Sequence, residues 1–174
     1  MSDRVLTAFL DRQLEEGRAL AAESDLFDLV PIDGRGRQRY LVELRCTGLV
    51  RRDGGEIVEA DRFVIGVWFP DHYLREADPY RVLTWLDPIR TWHPNIKPPF
   101  VCAGRISPGT PLVDLVYRCF EIVTFNRVTM REDDSLNREA CAWARHNLHR
   151  FPIDSRPLKR RAADFAIETL ETTP

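Results

Sequence analysis

The chain has 174 residues, of which 44% are hydrophobic and 30% are charged, so it can build one domain with a core and is not predominantly disordered. A net charge of −2 and a pI near 6.1 argue against nucleic acid and against an anionic membrane as partners. No apolar run approaches the roughly 20 residues of a membrane-spanning helix, and the N-terminus lacks a signal-peptide pattern, so we expect a cytoplasmic protein.

The first predicted element is an amphipathic helix over residues 3–22, because its apolar residues recur at helical spacing. The residues of this stripe are Val5, Leu6, Phe9, Leu10 and Leu14. A short apolar run over residues 26–32 follows and ends at a glycine-containing turn, which marks it as the first of about four strands.

Period-two alternation predicts the second and third strands. The residues that share a face are Tyr40, Val42, Leu44 and Cys46 in one run and Phe63, Ile65, Val67 and Phe69 in the next. Between the two runs, Asp53-Gly54-Gly55 is a hairpin-type turn signal. A further strand is predicted over residues 80–86, closing at Asp87-Pro88.

Helical periodicity returns beyond residue 104. Thr110 is predicted to cap a helix that opens with a proline. Its predicted buried stripe is Leu112, Leu115, Val116, Cys119, Ile122 and Val123. A second helix is predicted to begin at Asp134 or Ser135 and to end at Pro152, and a last helix to begin at Pro157. The buried residues of the second helix are predicted to be Leu136, Ala140, Trp143, Ala144 and Leu148.

The order of the predicted elements is a helix, about four strands, an irregular segment and then helices. Segregated strands and helices indicate an α+β fold, in which an antiparallel meander is covered on one face. A parallel α/β sheet is disfavoured because nothing helical separates the predicted strands. We expect a single domain over residues 1–174, with a core of about residues 26–150 and a helix at each end.

The chain contains four cysteines and four histidines, but their spacing matches no zinc site and includes no Cys-x-x-Cys pair. Cys46, Cys119 and Cys141 lie on or beside apolar stripes, where a free cysteine behaves as a small hydrophobic residue. Cys102 is different, because it follows two prolines in a loop and precedes Ala103-Gly104, which leaves room around its sulfur. It is either a reactive thiol or a small apolar loop residue.

Five short motifs occur in order between residues 69 and 140. They are Phe69-Pro70 followed by Tyr73, the turn His93-Pro94-Asn95, Cys102, Ser107-Pro108, and Leu136-Asn137 with Glu139-Ala140. This series resembles the ubiquitin-conjugating enzyme family, whose members show such motifs in this order. The resemblance spans roughly residues 26–150 and implies a UBC-like fold.

The resemblance implies an enzyme that accepts a ubiquitin-like protein from an activating enzyme as a thioester on Cys102 and transfers it to a protein substrate, with no cofactor and no metal. Asn95 matches the family residue that donates to the developing oxyanion, and holding the loop is its alternative role. His93 matches a residue that supports the turn. Asp134 is either an activator of the incoming amine or the N-cap of the following helix.

Some positions depart from the usual family pattern. Cys102 lies nine positions after His93, one fewer than is usual in the family. Leu74 stands where a proline is usual, and Ile106 stands where a tryptophan is usual. These departures resemble the bacterial members, which are encoded beside a ubiquitin-like protein, its activating enzyme and a deconjugating metalloprotease. Because several such operons act against phage, the resemblance implies a role in bacterial antiphage defence.

Two other functions compete with this interpretation. A non-catalytic module of the same fold would bind a ubiquitin-like protein or its activating enzyme, but variants of that kind lack the cysteine that this chain retains. A cysteine hydrolase using Cys102 and a histidine would need a third, orienting residue, which the sequence does not offer.

Lysine usage is a separate observation. Only Lys97 and Lys159 among the 25 basic residues are lysines. Lys97 lies in the segment before Cys102, where three interpretations are open: a solvated side chain, a cation that favours the Cys102 thiolate, or a site that is itself modified.

Overall fold

The computed structural model describes residues 4–33 and 37–160. The chain forms an α+β fold in which an N-terminal helix precedes a four-stranded antiparallel sheet and further helices follow the sheet. This architecture confirms the predicted fold class and is consistent with a UBC-like topology.

Twelve α-helices and β-strands organise the part of the chain that the structure describes. The helices are α1 (Arg4–Ala22), α2 (Pro79–Val82), α3 (Leu112–Val123) and α4 (Arg138–His146). The strands are β1 (Phe27–Pro31), β2 (Arg39–Leu44), β3 (Gly48–Arg51), β4 (Ile57–Ala60), β5 (Phe63–Trp68), β6 (Leu83–Asp87), β7 (Ile96–Lys97) and β8 (Phe100–Val101).

The main sheet has the strand order β1-β2-β5-β6, with antiparallel pairing throughout. Both predicted alternating faces are buried, as the structure confirms for Tyr40, Val42, Leu44, Cys46, Phe63, Ile65, Val67 and Phe69. The β2–β5 register places Tyr40 opposite Val67 and Leu44 opposite Phe63. Because side chains alternate between the faces of a strand, this register directs both apolar sets toward one core.

Helix α1 covers the sheet through a face made of Leu6, Phe9, Leu10, Gln13, Gly17 and Leu20. The prediction that Val5 belongs to this face is wrong, because 68% of Val5 is exposed. A Cβ atom at Gly17 would lie 2.6 Å from Leu29 Cδ2 and 2.9 Å from Leu112 Cδ2. The missing side chain at this position therefore allows the close approach of α1 to β1 and α3.

Helix α3 is capped from another helix rather than from its own sequence. Leu112 N donates to Gln13 Oε1 at 2.7 Å, and Gln13 Nε2 donates to Phe9 O at 3.3 Å. The predicted cap at Thr110 is wrong, because its hydroxyl instead donates to Ser107 O at 2.8 Å and accepts from Ser107 N at 3.2 Å. The predicted stripe of α3 is nevertheless fully buried.

The strands β3 and β4 form a separate hairpin across the predicted Asp53-Gly54-Gly55 turn. The hairpin lies against the segment that leads into the His-Pro-Asn turn, where Trp92 N donates to Leu49 O at 2.8 Å and Val50 bridges Thr91. Its apolar residues contribute to a second hydrophobic cluster, which comprises Leu49, Ile57, Trp92, Phe125 and Ala140.

Helix α4 begins later than predicted. Asn137 Oδ1 accepts from Ala140 N at 3.1 Å, so Asn137 is the N-cap and the predicted start at Asp134 or Ser135 is wrong. Asn137 N also donates to Pro94 O at 3.0 Å. The start of α4 is thus set by a contact with the His-Pro-Asn turn.

Three other predicted boundaries are also wrong. The strand expected over residues 80–86 begins only at Leu83, because Asp78 Oδ1 accepts from Tyr80 N at 3.0 Å and caps the helical turn α2. Helix α4 ends at His146 and a 3-10 turn follows, which leaves Leu148 58% exposed. Residues 157–160 are not helical, and the rest of the predicted last helix lies outside the described residues.

Candidate active site

The candidate site is built on the short hairpin formed by β7 and β8. Ile96 pairs with Val101 and Lys97 pairs with Phe100. The ladder continues by one residue, because Cys102 N donates to the main-chain oxygen of the Asn95 residue at 2.8 Å. Cys102 therefore lies directly across the hairpin from the last residue of the His-Pro-Asn turn.

Two contacts hold this hairpin in place, one with strand β6 of the main sheet and one with helix α2. Trp85 N on β6 donates to Pro99 O at the hairpin tip at 2.8 Å. Phe100 packs edge-on against Tyr80 of α2, with ring centroids 5.6 Å apart. Both rings stay about half exposed, so they form an aromatic edge on the surface beside the hairpin.

The four cysteines differ in accessibility. Cys46, Cys119 and Cys141 are buried, whereas Cys102 is only half-buried. Burial raises the pKa of the Cys46 and Cys119 thiols to about 12, which keeps both of them protonated and unreactive at neutral pH. Cys102 is consequently the cysteine that a reactant can reach.

His93 is enclosed in its own turn. Its Nδ1 accepts from Asn95 N at 3.0 Å, and its ring packs edge-on against Phe125 with centroids 4.4 Å apart. Within the described residues, its buried Nε2 has no hydrogen-bond partner. Burial lowers the pKa of His93 to about 3, so the ring is neutral at physiological pH. This arrangement suits a residue that supports the turn and does not suit a general base.

The Asn95 side chain joins three segments. Its Nδ2 donates to Thr129 Oγ1 at 2.8 Å and to Cys102 O at 3.3 Å, while its Oδ1 accepts from Thr129 N at 2.8 Å. Both amide hydrogens are therefore engaged in the resting structure. The hydrogen bond to Cys102 O is the longer and weaker of the two. The N–H that makes it is the donor that an oxyanion could recruit.

Asp134 lies in an exposed acidic turn beside the site. Thr129 and Asn137 attach the two ends of this segment to the His-Pro-Asn turn. Within the turn, Arg131 binds Asp133 with Nη2 and Oδ2 2.8 Å apart and contacts Asp134 with Nε and Oδ2 3.4 Å apart. The Arg131 hydrogen bond lowers the pKa of Asp133. Capping of α4 is not the role of Asp134, because Asn137 performs it.

Sequence reasoning missed two features of the site. Thr129 forms a pair of hydrogen bonds with Asn95, although no motif marks it. Gly104 has a φ of +79°, and a Cβ there would lie 2.7 Å from Arg127 Nη2. The glycine that follows Ala103 was a usable signal for a left-handed position close to the cysteine. Nothing in the sequence predicted that Arg127 would lie against it.

No protein-family model matches the chain, and no curated protein matches it significantly. Within residues 4–33 and 37–160, no helix is long and apolar enough to cross a membrane. The same residues include no group of three or more His, Cys, Asp or Glu side chains that could hold a metal ion.

Proposed function

We propose that this protein is a ubiquitin-conjugating-like enzyme that carries a ubiquitin-like protein as a thioester on Cys102 and passes it to a target. One observation carries the proposal. Cys102 is half-buried, whereas the other three cysteines are buried, and it lies across a hairpin from Asn95 of the His-Pro-Asn turn. The α+β architecture and the order of the sequence motifs support the same function.

The chemistry consists of two acyl transfers. The Cys102 thiolate attacks the carbonyl of a thioester on the activating enzyme, whose sulfur leaves. An amine of the target then attacks the new thioester, and Cys102 leaves as a thiolate. Both steps place negative charge on the carbonyl oxygen, and one fixed donor at such an oxygen contributes roughly 10²–10³ in rate. Asn95 Nδ2 supplies this donor by exchanging its 3.3 Å bond to Cys102 O for the oxyanion.

Asp134 is the proposed aid to the incoming amine. The acidic turn is fastened beside the site at Thr129 and Asn137, so a carboxylate there can attract a protonated lysine and orient its amine toward the thioester. Because Arg131 already contacts Asp134, the arriving amine has to compete with that ion pair.

A second candidate is a non-catalytic module that binds a ubiquitin-like protein or its activating enzyme. The engagement of both Asn95 amide hydrogens favours it, since a binding module needs a fixed loop and no free donor.

The main proposal also includes a role in bacterial antiphage defence, which the family resemblance implies. Plaque assays on cells that express the wild type or Cys102→Ala test that role.

The deciding experiment mixes the protein with a candidate activating enzyme, a ubiquitin-like protein and ATP. We expect an adduct on a non-reducing gel that reductant removes and that Cys102→Ala abolishes. Cys102→Ser should give an ester that resists reductant and is cleaved by hydroxylamine. Cys119→Ala is the matched control, because this buried cysteine lies in the main core and should leave loading unchanged. Binding of the ubiquitin-like protein without any adduct, while the activating enzyme is demonstrably charged, would leave the binding module as the function.

A further inference from the structure

We propose that a basic groove beside Cys102 binds an extended acidic segment of the acceptor protein. The inference deepens the proposed function and rests on it, because it names the class of protein that would receive the acyl group. Binding of an acidic segment is nevertheless a property of the groove itself, so it can be measured without any thioester.

The groove consists of three neighbouring clefts that share walls. A cleft of about 680 Å³ extends from Ala60 to Arg90, and a second of about 450 Å³ shares Arg90 with it and reaches Trp92. A third cleft of about 500 Å³ shares Trp92 with the second and ends at Glu139 on α4. A series of joined clefts suits an extended chain better than a compact ligand, which a single cleft would hold.

The walls of this groove are predominantly cationic. The cationic residues that line it, all of them exposed, are Arg51, Arg52, Arg90, Lys97 and Arg138. Among the described residues of the lining, the carboxylates are Asp53 and Glu139. The walls therefore carry three excess positive charges, although the whole chain has a net charge of −2. Such a local concentration of one sign attracts a segment of the opposite sign.

The ion pairs within the groove are exposed and can be exchanged. Arg51 Nη1 lies 3.0 Å from Glu139 Oε2. Arg90 contacts Asp53 in the same way. The two carboxylate side chains are 76% and 91% exposed, respectively, so solvent screens both pairs and they contribute little to stability. Among the residues that the structure describes, no carboxylate forms an ion pair with Lys97. Carboxylates of a partner can therefore replace those of the chain at the two arginines and meet the lysine without competition.

One of these arginines is held in position on the floor of the groove. The guanidinium carbon of Arg51 lies 5.0 Å from the centroid of the Trp92 ring. Trp92 is itself only 8% exposed, and its main-chain N–H donates to Leu49 O at 2.8 Å. A guanidinium stacked on a fixed ring is oriented in advance for the two-point contact that a carboxylate makes with arginine.

The groove leads toward Cys102. Lys97 lines both the second and the third cleft and pairs with Phe100 across the β7–β8 hairpin. Cys102 follows Phe100 by two residues, so it forms a diagonal pair with Lys97, at a typical separation of roughly 7–8 Å. A run of carboxylates lying in the groove would therefore hold a nearby lysine of the same segment close to a thioester on Cys102. The groove thus selects acceptor lysines that have such a run close to them in sequence.

A labelled peptide tests the groove without the activating enzyme. Fluorescence anisotropy is measured with the full-length protein and a fluorescein-labelled oligoglutamate, with oligoglutamine as the uncharged comparison. We expect saturable binding of oligoglutamate that weakens as salt is added, because the contacts join exposed charges. Arg51→Gln/Arg90→Gln should weaken this binding by about tenfold or more. The matched control Arg12→Gln/Arg45→Gln removes two arginines that form exposed ion pairs outside the groove, and it should bind as the wild type does.

A second variant distinguishes lost contacts from misfolding. Glu139→Gln removes the carboxylate that competes for Arg51 and with it one negative charge of the groove. We expect this variant to bind oligoglutamate more tightly than the wild type does, which a misfolded groove would not do. Unchanged binding in Glu139→Gln, or equal weakening in the two double variants, would overturn the proposal.

Two other anions test the class of ligand. Inorganic pyrophosphate and single-stranded oligothymidylate are added as competitors to the bound oligoglutamate. We expect both to displace it only at higher concentrations than unlabelled oligoglutamate does. Binding of pyrophosphate by a protein that does not bind oligoglutamate would leave a small-anion site and overturn the acidic segment. Tighter binding of oligothymidylate than of oligoglutamate would assign the groove to nucleic acid and would also overturn it.

Discharge of a preformed Cys102 thioester separates this inference from the proposed function. Two acceptor peptides each contain one lysine, which a run of glutamates follows in one and a run of glutamines in the other. We expect the glutamate peptide to accept the ubiquitin-like protein with a KM lower by about tenfold, a preference that Arg51→Gln/Arg90→Gln loses and Arg12→Gln/Arg45→Gln keeps. Equal use of the two peptides would remove the acidic acceptor and leave the conjugating function intact. Binding of oligoglutamate by a protein that never forms the thioester would overturn the proposed function and, with it, the assignment of the bound segment to an acceptor.

Discussion

His93 holds its turn through a hydrogen bond that only the neutral ring can make, because Nδ1 accepts from Asn95 N. A proton on Nδ1 would remove this hydrogen bond and place a positive charge on a residue that is only 1% exposed. The low pKa of His93 is therefore a property of the fold, since the unfolded chain would hydrate the charged ring.

Acid should destabilise the protein through His93. The folded pKa of about 3 lies below the ordinary 6.5, so the stabilising contribution is complete above pH 6.5 and is lost as the pH falls toward 3. We expect the free energy of unfolding to decrease by about 1.4 kcal/mol per pH unit in this window. His93→Asn, whose Oδ1 can accept the same N–H, should remove that slope.

Urea unfolding of the wild type and of His93→Asn near pH 7 and near pH 5 checks this prediction. The difference between the two proteins in the change of unfolding free energy with pH is assigned to His93. Parallel pH dependence in the two proteins would contradict the assignment. His146→Asn, which removes an exposed histidine, serves as the control.

At the scale of elements, the paired hydrogen bonds of Asn95 and Thr129 link the β7–β8 hairpin to the segment that follows α3. The same segment meets the turn again where Asn137 N donates to Pro94 O. The loop that presents Cys102 is thus braced from both sides. Under the proposed function Asn95 would combine two separable roles, one as a brace of the loop and one as a donor to the oxyanion.

Two substitutions should separate the brace from the donor. Thr129→Val removes the Oγ1 acceptor but keeps the shape of the side chain and the main-chain bond from Thr129 N to Asn95 Oδ1. We expect it to slow the discharge of a preformed Cys102 thioester to free lysine by less than about tenfold, whereas Asn95→Ala should slow it by about 10²–10³. Single-turnover gels measure both rates. Equal losses would mean that Asn95 acts on the reaction only by holding the loop.

At the scale of the whole molecule, local patterns predicted most of the buried faces of the strands and of α3. The alternation from Tyr40 to Phe69 and the stripe of α3 were correct, because period and burial coincide in strands and helices that face a single core. The site was predictable as far as its motifs extended. Cys102 is indeed the accessible cysteine, but Thr129 has no local signature.

Two of the wrong predictions depend on contacts between distant segments. Asp134 and Asn137 are both acceptable helix caps, and the contact of Asn137 N with Pro94 O accompanies the choice of the second. Gln13 caps α3 across a separation of 99 residues, which no local window contains. The β3–β4 hairpin was recognisable as a turn, but its packing outside the main sheet was not.

A buried carboxylate, Asp154, helps to fasten the C-terminal segment to the fold. Asp154 accepts from Thr47 N at 3.0 Å and from Arg156 Nη2 at 2.6 Å. The hydrogen bond from Arg156 is the main cause that holds the pKa of Asp154 at about 2, below its ordinary 3.8. Its stabilising contribution is therefore complete above about pH 4 and is lost as the pH falls toward 2.

Asp154→Asn should cost about 1–2 kcal/mol of unfolding free energy near pH 7, less than the pKa shift alone would imply, because Arg156 is largely exposed. The difference from the wild type should shrink as the pH falls below 4, since the protonated carboxyl and the amide are then both neutral. Urea titrations across this range measure it, with the exposed Asp134→Asn as the control. A difference that stays constant with pH would show that shape, and not charge, fastens the segment. The acid loss from Asp154 begins at a lower pH than that from His93, so the two contributions can be resolved in one titration series.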